Sequence, residues 1–203
     1  ISILSPIRSG KLLKVSLKDL LKEWCFTNVN KSTIDNFTYL CILNKLGSRS
    51  FIDFSQYYVF PWIFAEYKKE EENIDQLPLR NLALPMGQIG PDRLERFDSV
   101  FEDSGNQYFY GTHYMHLGVV LFYLFRNDPF CLFSIYFYHG YAHPNRVFHE
   151  IAEAWNSAAF MSPADVKEVV PQMFCVPEFL TNTSSLPLTS TTNGKPVDNV
   201  TLA

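Results

Sequence analysis

The sequence predicts a mainly α-helical fold in which helices flank extended, irregular core segments that are buried. Apolar residues recur at helical spacing in several windows of the chain. Pro61 interrupts the most aromatic stretch, and neither a helix interior nor a central strand tolerates a proline. A charged content of 19% beside 47% apolar residues indicates a packed core rather than a disordered chain.

The length and net charge of the chain limit the number of domains and the kinds of partner that we expect. The 203 residues are enough for one domain with a core of ordinary size. The 17 basic and 21 acidic residues give a net charge of −4, which argues against binding by phosphate neutralisation. We therefore expect no nucleic-acid partner, and the aromatic content of 16% favours a surface covered by another protein or domain.

Two amphipathic helices are predicted near the start of the chain. Apolar residues at positions 17–24 follow the i, i+3, i+4, i+7 spacing. A second helix is predicted between a cap at Asp35 or Asn36 and a stop at Gly47. Its apolar face includes Asn44, whose amide needs hydrogen-bond partners if it is buried.

Residues 51–67 are predicted to form the extended, irregular and buried centre of the core. They are strongly apolar and aromatic, and Pro61 prevents regular secondary structure. A buried irregular segment needs side chains to satisfy its backbone groups. The polar residues close enough in sequence are Asn44, Arg49, Asp53 and Gln56.

The middle of the chain predicts three more helices. Gly90 and Pro91 begin one that ends at Gly105. Residues 117–125 and 130–138 are two apolar runs separated by a polar break, and both are predicted to be buried. Neither run approaches the roughly 20 residues that a membrane-spanning helix needs.

The last third predicts two helices and a mobile loop. Pro144 is placed to begin a helix that continues to about residue 160. Residues 162–165 have the composition of a strong helix start, and Pro171 limits that helix to about two turns. Residues 182–196 are rich in Ser, Thr, Asn, Pro and Gly, which is typical of a mobile loop.

No catalytic or metal site is predicted from sequence motifs. His113 and His116 are three residues apart and could share one helix face, so a metal-dependent hydrolase remains an alternative. A third ligand is not evident, and the chain has no HExxH, GxSxG or phosphate-binding glycine motif. We expect no cofactor and no enzymatic activity.

The cysteines favour a reducing compartment. Cys25, Cys41, Cys131 and Cys175 have no zinc-ligand spacing and are predicted to be free thiols. Four Asn-X-Ser/Thr triplets, which begin at positions 30, 36, 182 and 199, keep a secreted glycoprotein domain as a second alternative.

Polar residues within apolar sequence are candidates for a protein-binding groove. Several charged residues, such as Arg146, Lys167 and Glu168, could instead form internal ion pairs that hold irregular segments in place. The groove hypothesis uses aromatic anchors and neighbouring polar groups. Its residues are Asn44, Arg49, Asp53, Gln56, Tyr57, Trp62, Arg126 and Glu178.

Several blocks of sequence resemble the BEACH domain, the module shared by beige and neurobeachin proteins. They are Asn36-Phe-Thr-Tyr-Leu40, Gln56-Tyr-Tyr-Val-Phe-Pro-Trp62, Arg80-Asn-Leu-Ala-Leu-Pro-Met-Gly87, Tyr110-Gly-Thr-His-Tyr114 and Asp165-Val-Lys-Glu-Val-Val-Pro171. Residues 119–124 resemble the branch that includes the factor associated with neutral sphingomyelinase activation. The chain departs from the family pattern at Tyr58, Asn81, Leu84, Met115, His116 and Asn145.

The resemblance implies a BEACH-type fold and a scaffold without catalysis. It implies a leader or linker at residues 1–15 and a BEACH domain, truncated at its C-terminal end, at residues 16–203. It also implies a pleckstrin-homology-like domain upstream and WD repeats downstream. Such proteins are large, cytoplasmic and peripherally associated with membranes, and they serve vesicle traffic, lysosome-related organelles and autophagy.

Overall fold

The computed structural model describes residues 34–67, 76–110, 113–139, 147–162, 164–186 and 199–201. It divides into two compact units, Ile1–Asp53 and Phe54–Ala203. The helix predicted at residues 17–24 lies outside the described residues.

The first unit contains helix α1, Asn36–Leu46, with the predicted caps. The Asp35 carboxylate accepts a hydrogen bond from the Thr38 amide at 2.7 Å, and the chain leaves the helix at Gly47. Asn44 is buried, and its side-chain amide donates to the carbonyl of Leu40 at 2.9 Å. The buried polar group on the apolar face is therefore satisfied within its own helix.

The second unit is built from short helices joined by irregular segments. Its longer helices are α2 (Pro91–Asp103), α3 (Leu117–Leu124), α4 (Phe130–Tyr138), α5 (Ile151–Asn156) and α6 (Gln172–Cys175). Single 3₁₀ turns occupy Phe54–Gln56, Met86–Gln88 and Pro177–Leu180, and α5 continues as the π-helix Ser157–Met161. Within the described ranges, β-structure is limited to isolated bridges, so the mainly α prediction is confirmed.

The extended core segment lies at the centre of this unit, as predicted, but it is shorter than predicted. Trp62 and Phe60 are almost fully buried, and so are Tyr57 and Tyr58. Phe60 forms an antiparallel bridge with Val169, with reciprocal hydrogen bonds of 2.8 and 2.9 Å. Burial does not extend to the start of residues 51–67, because Ile52 is 92% exposed. Distant residues satisfy the backbone amides of Phe60 and Trp62, whereas those of Ile63 and Phe64 donate to the nearby Tyr67 hydroxyl.

The two apolar runs have different environments. In α3, Val119, Val120, Leu121, Tyr123 and Leu124 are buried, as predicted. The prediction that the second run is buried is wrong for much of α4. There Leu132 is 63% exposed, Tyr136 75% and Phe137 48%.

In the last third, one predicted helix begins later than expected and another is absent from the described residues. Residues 147–150 are not helical, and α5 begins only at Ile151, because Glu150 pairs with Thr201 in a parallel bridge. Within residues 164–170 the described backbone is extended rather than helical. Val169 uses both of its backbone polar groups to pair with Phe60, and that tertiary pairing replaces a local helix.

Candidate functional site

Trp62 is fixed to the segment that follows the π-helix. Its backbone amide donates to Glu168 Oε2 at 2.9 Å, and its indole Nε1 donates to the Lys167 carbonyl at 3.0 Å. Its ring packs edge-on against Trp155 and Tyr67, with ring centroids 5.6 and 5.1 Å away. Both polar groups of a buried tryptophan are thus satisfied, and its ring anchors an aromatic cluster.

A buried ion pair joins this segment to a second irregular region. Arg80 Nη2 lies 2.9 Å from Glu168 Oε1, and Arg80 Nε donates to the Trp62 carbonyl at 2.6 Å. Burial raises the pKa of Glu168 above its usual range, although the charge of Arg80 and the hydrogen bonds from Arg80 and Trp62 oppose that rise. The carboxylate accepts from two donors on different segments and holds them together.

Asp165 organises the chain after the π-helix. Its carboxylate accepts from the Ser157 hydroxyl at 2.7 Å and from the Lys167 amide at 3.1 Å, and it forms an ion pair with the Lys167 ammonium. The buried guanidinium of Arg93 donates to the carbonyls of Ser162 and Asp165 at 2.6 and 2.9 Å. The Asp165 carboxylate, which belongs to the predicted helix start, is thus used in other bonds, and residues 164–170 are not helical.

The aromatic and arginine members of the predicted groove lie inside the second unit. Tyr57, Trp62 and Arg126 are buried. The Tyr57 hydroxyl accepts from Gln172 Nε2 at 2.8 Å, and burial raises the pKa of Tyr57 to about 12. Arg126 donates to the carbonyl of Phe148. These three side chains connect core segments to one another.

The remaining predicted residues are distributed between the two units. Asn44 is buried, Arg49 half-buried and Asp53 exposed in the first unit. Gln56 and Glu178 are exposed on 3₁₀ turns of the second unit. Tyr57 and Trp62 lie on one core segment, whereas Arg126 contacts Phe148.

Two residues that the structure places at the centre of the site were missing from the predicted groove. Arg80 belongs to the family-like block at residues 80–87, and its position two residues after Pro78 gives no sign of an ion pair. Arg93 lies one helical turn before the buried Phe97, and its guanidinium carbon is 5.4 Å from the Phe97 ring centroid. The i, i+4 spacing from an aromatic residue was the available signal for Arg93.

The histidine pair makes backbone contacts and lines a pocket. His113 Nδ1 lies 2.7 Å from the Met115 carbonyl, and His116 Nδ1 accepts from the Gly118 amide at 3.1 Å. Burial, and next the neighbouring His113, lower the pKa of His116. In the described part of the chain, no group of three His, Cys, Asp or Glu side chains is arranged to hold a metal.

The structure also bears on the secreted-glycoprotein alternative, through the cysteines and through the asparagine of one glycosylation triplet. Cys131 and Cys175 are free thiols. The Asn182 side chain donates to the Leu186 carbonyl and accepts from the Leu186 amide, each at 2.9 Å. A sugar on Asn182 Nδ2 would compete with this loop contact. Across the described residues, the helices lack the combined length and apolarity needed to cross a bilayer.

Comparison with known sequences gives a consistent match. The sequence profile of the family described as Beige/BEACH domain covers residues 27–203. Protein SPIRRIG of Arabidopsis thaliana is 38% identical over 200 residues, which are 95% of this chain and 5% of that protein. BEACH domain-containing protein lvsD of Dictyostelium discoideum is 38% identical over 174 residues, or 83% of this chain and 6% of that protein.

A third relative is also a much longer protein that matches most of this chain. BEACH domain-containing protein B of Arabidopsis thaliana is 35% identical over 175 residues, covering 83% of this chain and 7% of that protein. The chain therefore spans between 5 and 7% of the length of these three relatives.

Proposed function

The chain belongs to the Beige/BEACH domain family, and on that premise we propose that it is a non-enzymatic interaction module of a large trafficking protein. The observation that carries the proposal is the match over residues 27–203 to a domain that forms a small fraction of very long relatives. A domain of this size in a long chain meets neighbouring domains through its surface, as a scaffold module does.

The internal architecture supports this role. The ion pair of Arg80 and Glu168, the aromatic cluster at Trp62 and the bonds around Asp165 all connect segments to one another. Those polar groups already have partners, and they act as structural supports. A rigid scaffold presents its surface with little loss of conformational entropy on binding.

We propose that the full protein places a pleckstrin-homology-like domain upstream and WD repeats downstream of this module. In that arrangement the protein is cytoplasmic and peripherally associated with membranes, and it takes part in vesicle traffic, lysosome-related organelles or autophagy. Sequencing the complete transcript tests the arrangement. We expect one reading frame that encodes all three domains, and a frame without either neighbour would contradict the proposal.

We propose that each unit has its own interaction surface, formed by the exposed or half-exposed members of the predicted groove that lie in that unit. Arg49 and Asp53 contribute charge in the first unit, and Gln56 and Glu178 contribute polar groups in the second. The buried members hold the backbone of their own units, Asn44 in the first unit and Tyr57, Trp62 and Arg126 in the second. A charge at an interface rim alters binding more than folding, which separates the two roles experimentally.

A charge reversal at Arg49 tests the surface of the first unit directly. Arg49→Glu should weaken docking of the pleckstrin-like domain from the same transcript by about tenfold, the equivalent of about 1.4 kcal/mol. The melting temperature should stay nearly unchanged. Isothermal titration calorimetry and thermal melts measure the two effects.

The matched control is Arg96→Glu, which reverses an exposed arginine on α2, outside the proposed surface. It should leave docking unaltered. Unfolding of the chain by Arg49→Glu would instead identify Arg49 as a structural residue and would contradict its role in binding.

A further inference from the structure

A pocket of about 350 Å³ lies on the second unit, between the start of α3, the end of α4 and residues 164–167. This volume is within the range of pockets that bind small ligands or single peptide residues. The lining residues on which the inference depends are His113, His116, Phe122, Tyr138, Asp165 and Lys167.

The two imidazoles of the pocket present opposite hydrogen-bonding groups. His116 Nδ1 accepts from the Gly118 amide, so the proton of the neutral ring is on Nε2, which is a donor. His113 Nδ1 lies 2.7 Å from the Met115 carbonyl and 3.4 Å from the Met115 amide, and the shorter contact favours a proton on Nδ1. Nε2 of the neutral His113 ring is then an acceptor.

The formal charges of the pocket cancel. Lys167 forms an ion pair with Asp165, and the Asp165 carboxylate also accepts from the Ser157 hydroxyl. The Lys167 ammonium lies 4.9 Å from the centroid of the Phe122 ring, which forms an apolar part of the wall. The pocket therefore combines balanced charge, an aromatic surface and paired donor and acceptor groups.

We propose that this pocket binds an uncharged, extended peptide segment of a protein partner, a ligand that rests on the interaction role proposed above. A peptide carries one carbonyl acceptor and one amide donor per residue, which match His116 Nε2–H and His113 Nε2. An uncharged apolar side chain packs against Phe122. The balanced charges of Lys167 and Asp165 favour a neutral ligand, since an oxyanion would face a carboxylate and an ammonium that is already paired.

A random twelve-residue peptide library displayed on phage and panned against the whole chain provides the test. The enriched peptide is then synthesised with a fluorophore and titrated by fluorescence anisotropy. We expect enriched peptides without net charge that contain an aliphatic or aromatic residue.

Two variants and one control locate the binding site. His116→Asn keeps a side-chain oxygen that can cap the Gly118 amide, but it removes the ring donor, and it should weaken binding by about tenfold. Gly118→Leu extends a side chain beside His116 and Tyr138, since a Cβ there lies 3.0 Å from His116 Cε1 and 3.6 Å from Tyr138 Oη. It should abolish binding while preserving α3, because leucine favours a helix more than glycine does. His139→Asn, at an exposed histidine outside the pocket, should have no effect.

Three outcomes would overturn the inference: enrichment of acidic peptides, peptides that bind both pocket variants with unchanged affinity, or no enrichment over an unrelated protein. Docking of the pleckstrin-like domain is measured independently. If docking persists while panning fails, only the peptide pocket is wrong, and if docking alone fails, the interaction surface proposed above is wrong.

Discussion

Helices α3 and α4 have nearly the same character in sequence but opposite environments. Each is short, apolar and free of Asp, Glu, Lys and Arg. Most side chains of α3 are buried, whereas α4 exposes a broad apolar face that includes Leu132 and Tyr136. Hydropathy predicted both helices correctly, and it predicted burial correctly for one of them.

The difference arises from the neighbours of each helix. On α3, Phe122 and Tyr123 pack against Phe148, with ring centroids 5.6 and 5.0 Å away. On α4, Phe130 and Phe133 pack against Phe54 at 5.2 and 5.3 Å. Tertiary contacts at distant positions decide which apolar helix is buried.

The buried face of α4 carries its smallest side chains. Cys131 and Ser134 are buried, although they are the least bulky residues of the helix, and Leu132 beside them is exposed. They are three residues apart and so share one face. Small residues allow the helix backbone to approach its neighbour closely, which a hydropathy profile does not reveal.

The largest expected difference between α3 and α4 is in the unfolding free energy that each loses when a leucine is replaced by alanine. Leu121→Ala in α3 should cost about 2–5 kcal/mol of unfolding free energy, because it leaves a cavity in a closed environment. Leu132→Ala in α4 should change stability by less than about 0.5 kcal/mol. Urea denaturation of both variants measures the difference, and equal losses would mean that α4 is as well covered as α3.

Glu168 should make the folding stability depend on pH, an effect of intermediate size that α4 does not share. Its pKa is raised in the folded state, so the folded chain holds the proton more tightly than the unfolded chain does. Stability should therefore fall as pH rises from the ordinary value of 4.5 through the raised value, and then level off. Helix α4, which has no acidic or basic residue, contributes nothing to this slope.

Glu168→Gln tests that assignment. The variant should lose this part of the pH slope and about 1–3 kcal/mol at neutral pH, because one amide oxygen replaces two acceptors for Trp62 and Arg80. Urea titrations between pH 4.5 and neutrality provide the measurement. An unchanged slope in the variant would assign the titration to another group.

The smallest expected effect concerns one hydroxyl. Tyr123 is completely buried in α3, and within the described residues its hydroxyl has no hydrogen-bond partner. Tyr123→Phe should therefore stabilise the chain by about 1 kcal/mol. Tyr136→Phe, on the exposed face of α4, is the matched control and should have no effect. Destabilisation by Tyr123→Phe would indicate a partner for the hydroxyl.

Local signals predicted much of the fold. The caps of α1 at Asp35 and Gly47, and the break between α3 and α4, follow from residue type and spacing. The failures occur where tertiary contacts replace local preferences. Residues 162–165 have a helix-start composition, but residues 164–170 are not helical and Val169 pairs with Phe60 instead.

The site was less accessible to sequence reasoning. Charged residues in apolar sequence indicated internal ion pairs, and Lys167 and Glu168 do form them. The partner of Glu168 is Arg80, which is 88 positions away and carries no local sign of that role. The binding role of the predicted groove residues stays a prediction, since burial alone does not measure affinity.

The hydrogen bond between Trp62 and Glu168 joins residues 106 positions apart, which has a consequence for synthesis. A ribosome adds roughly 5–20 residues per second, so about 5–20 s separate the appearance of the two residues. During that interval Tyr57, Phe60 and Trp62 lack the strand-like partner that covers them in the finished fold. A nascent chain with this arrangement exposes its most aromatic segment before the last third of the domain exists, and exposed apolar surface of this kind favours aggregation during synthesis.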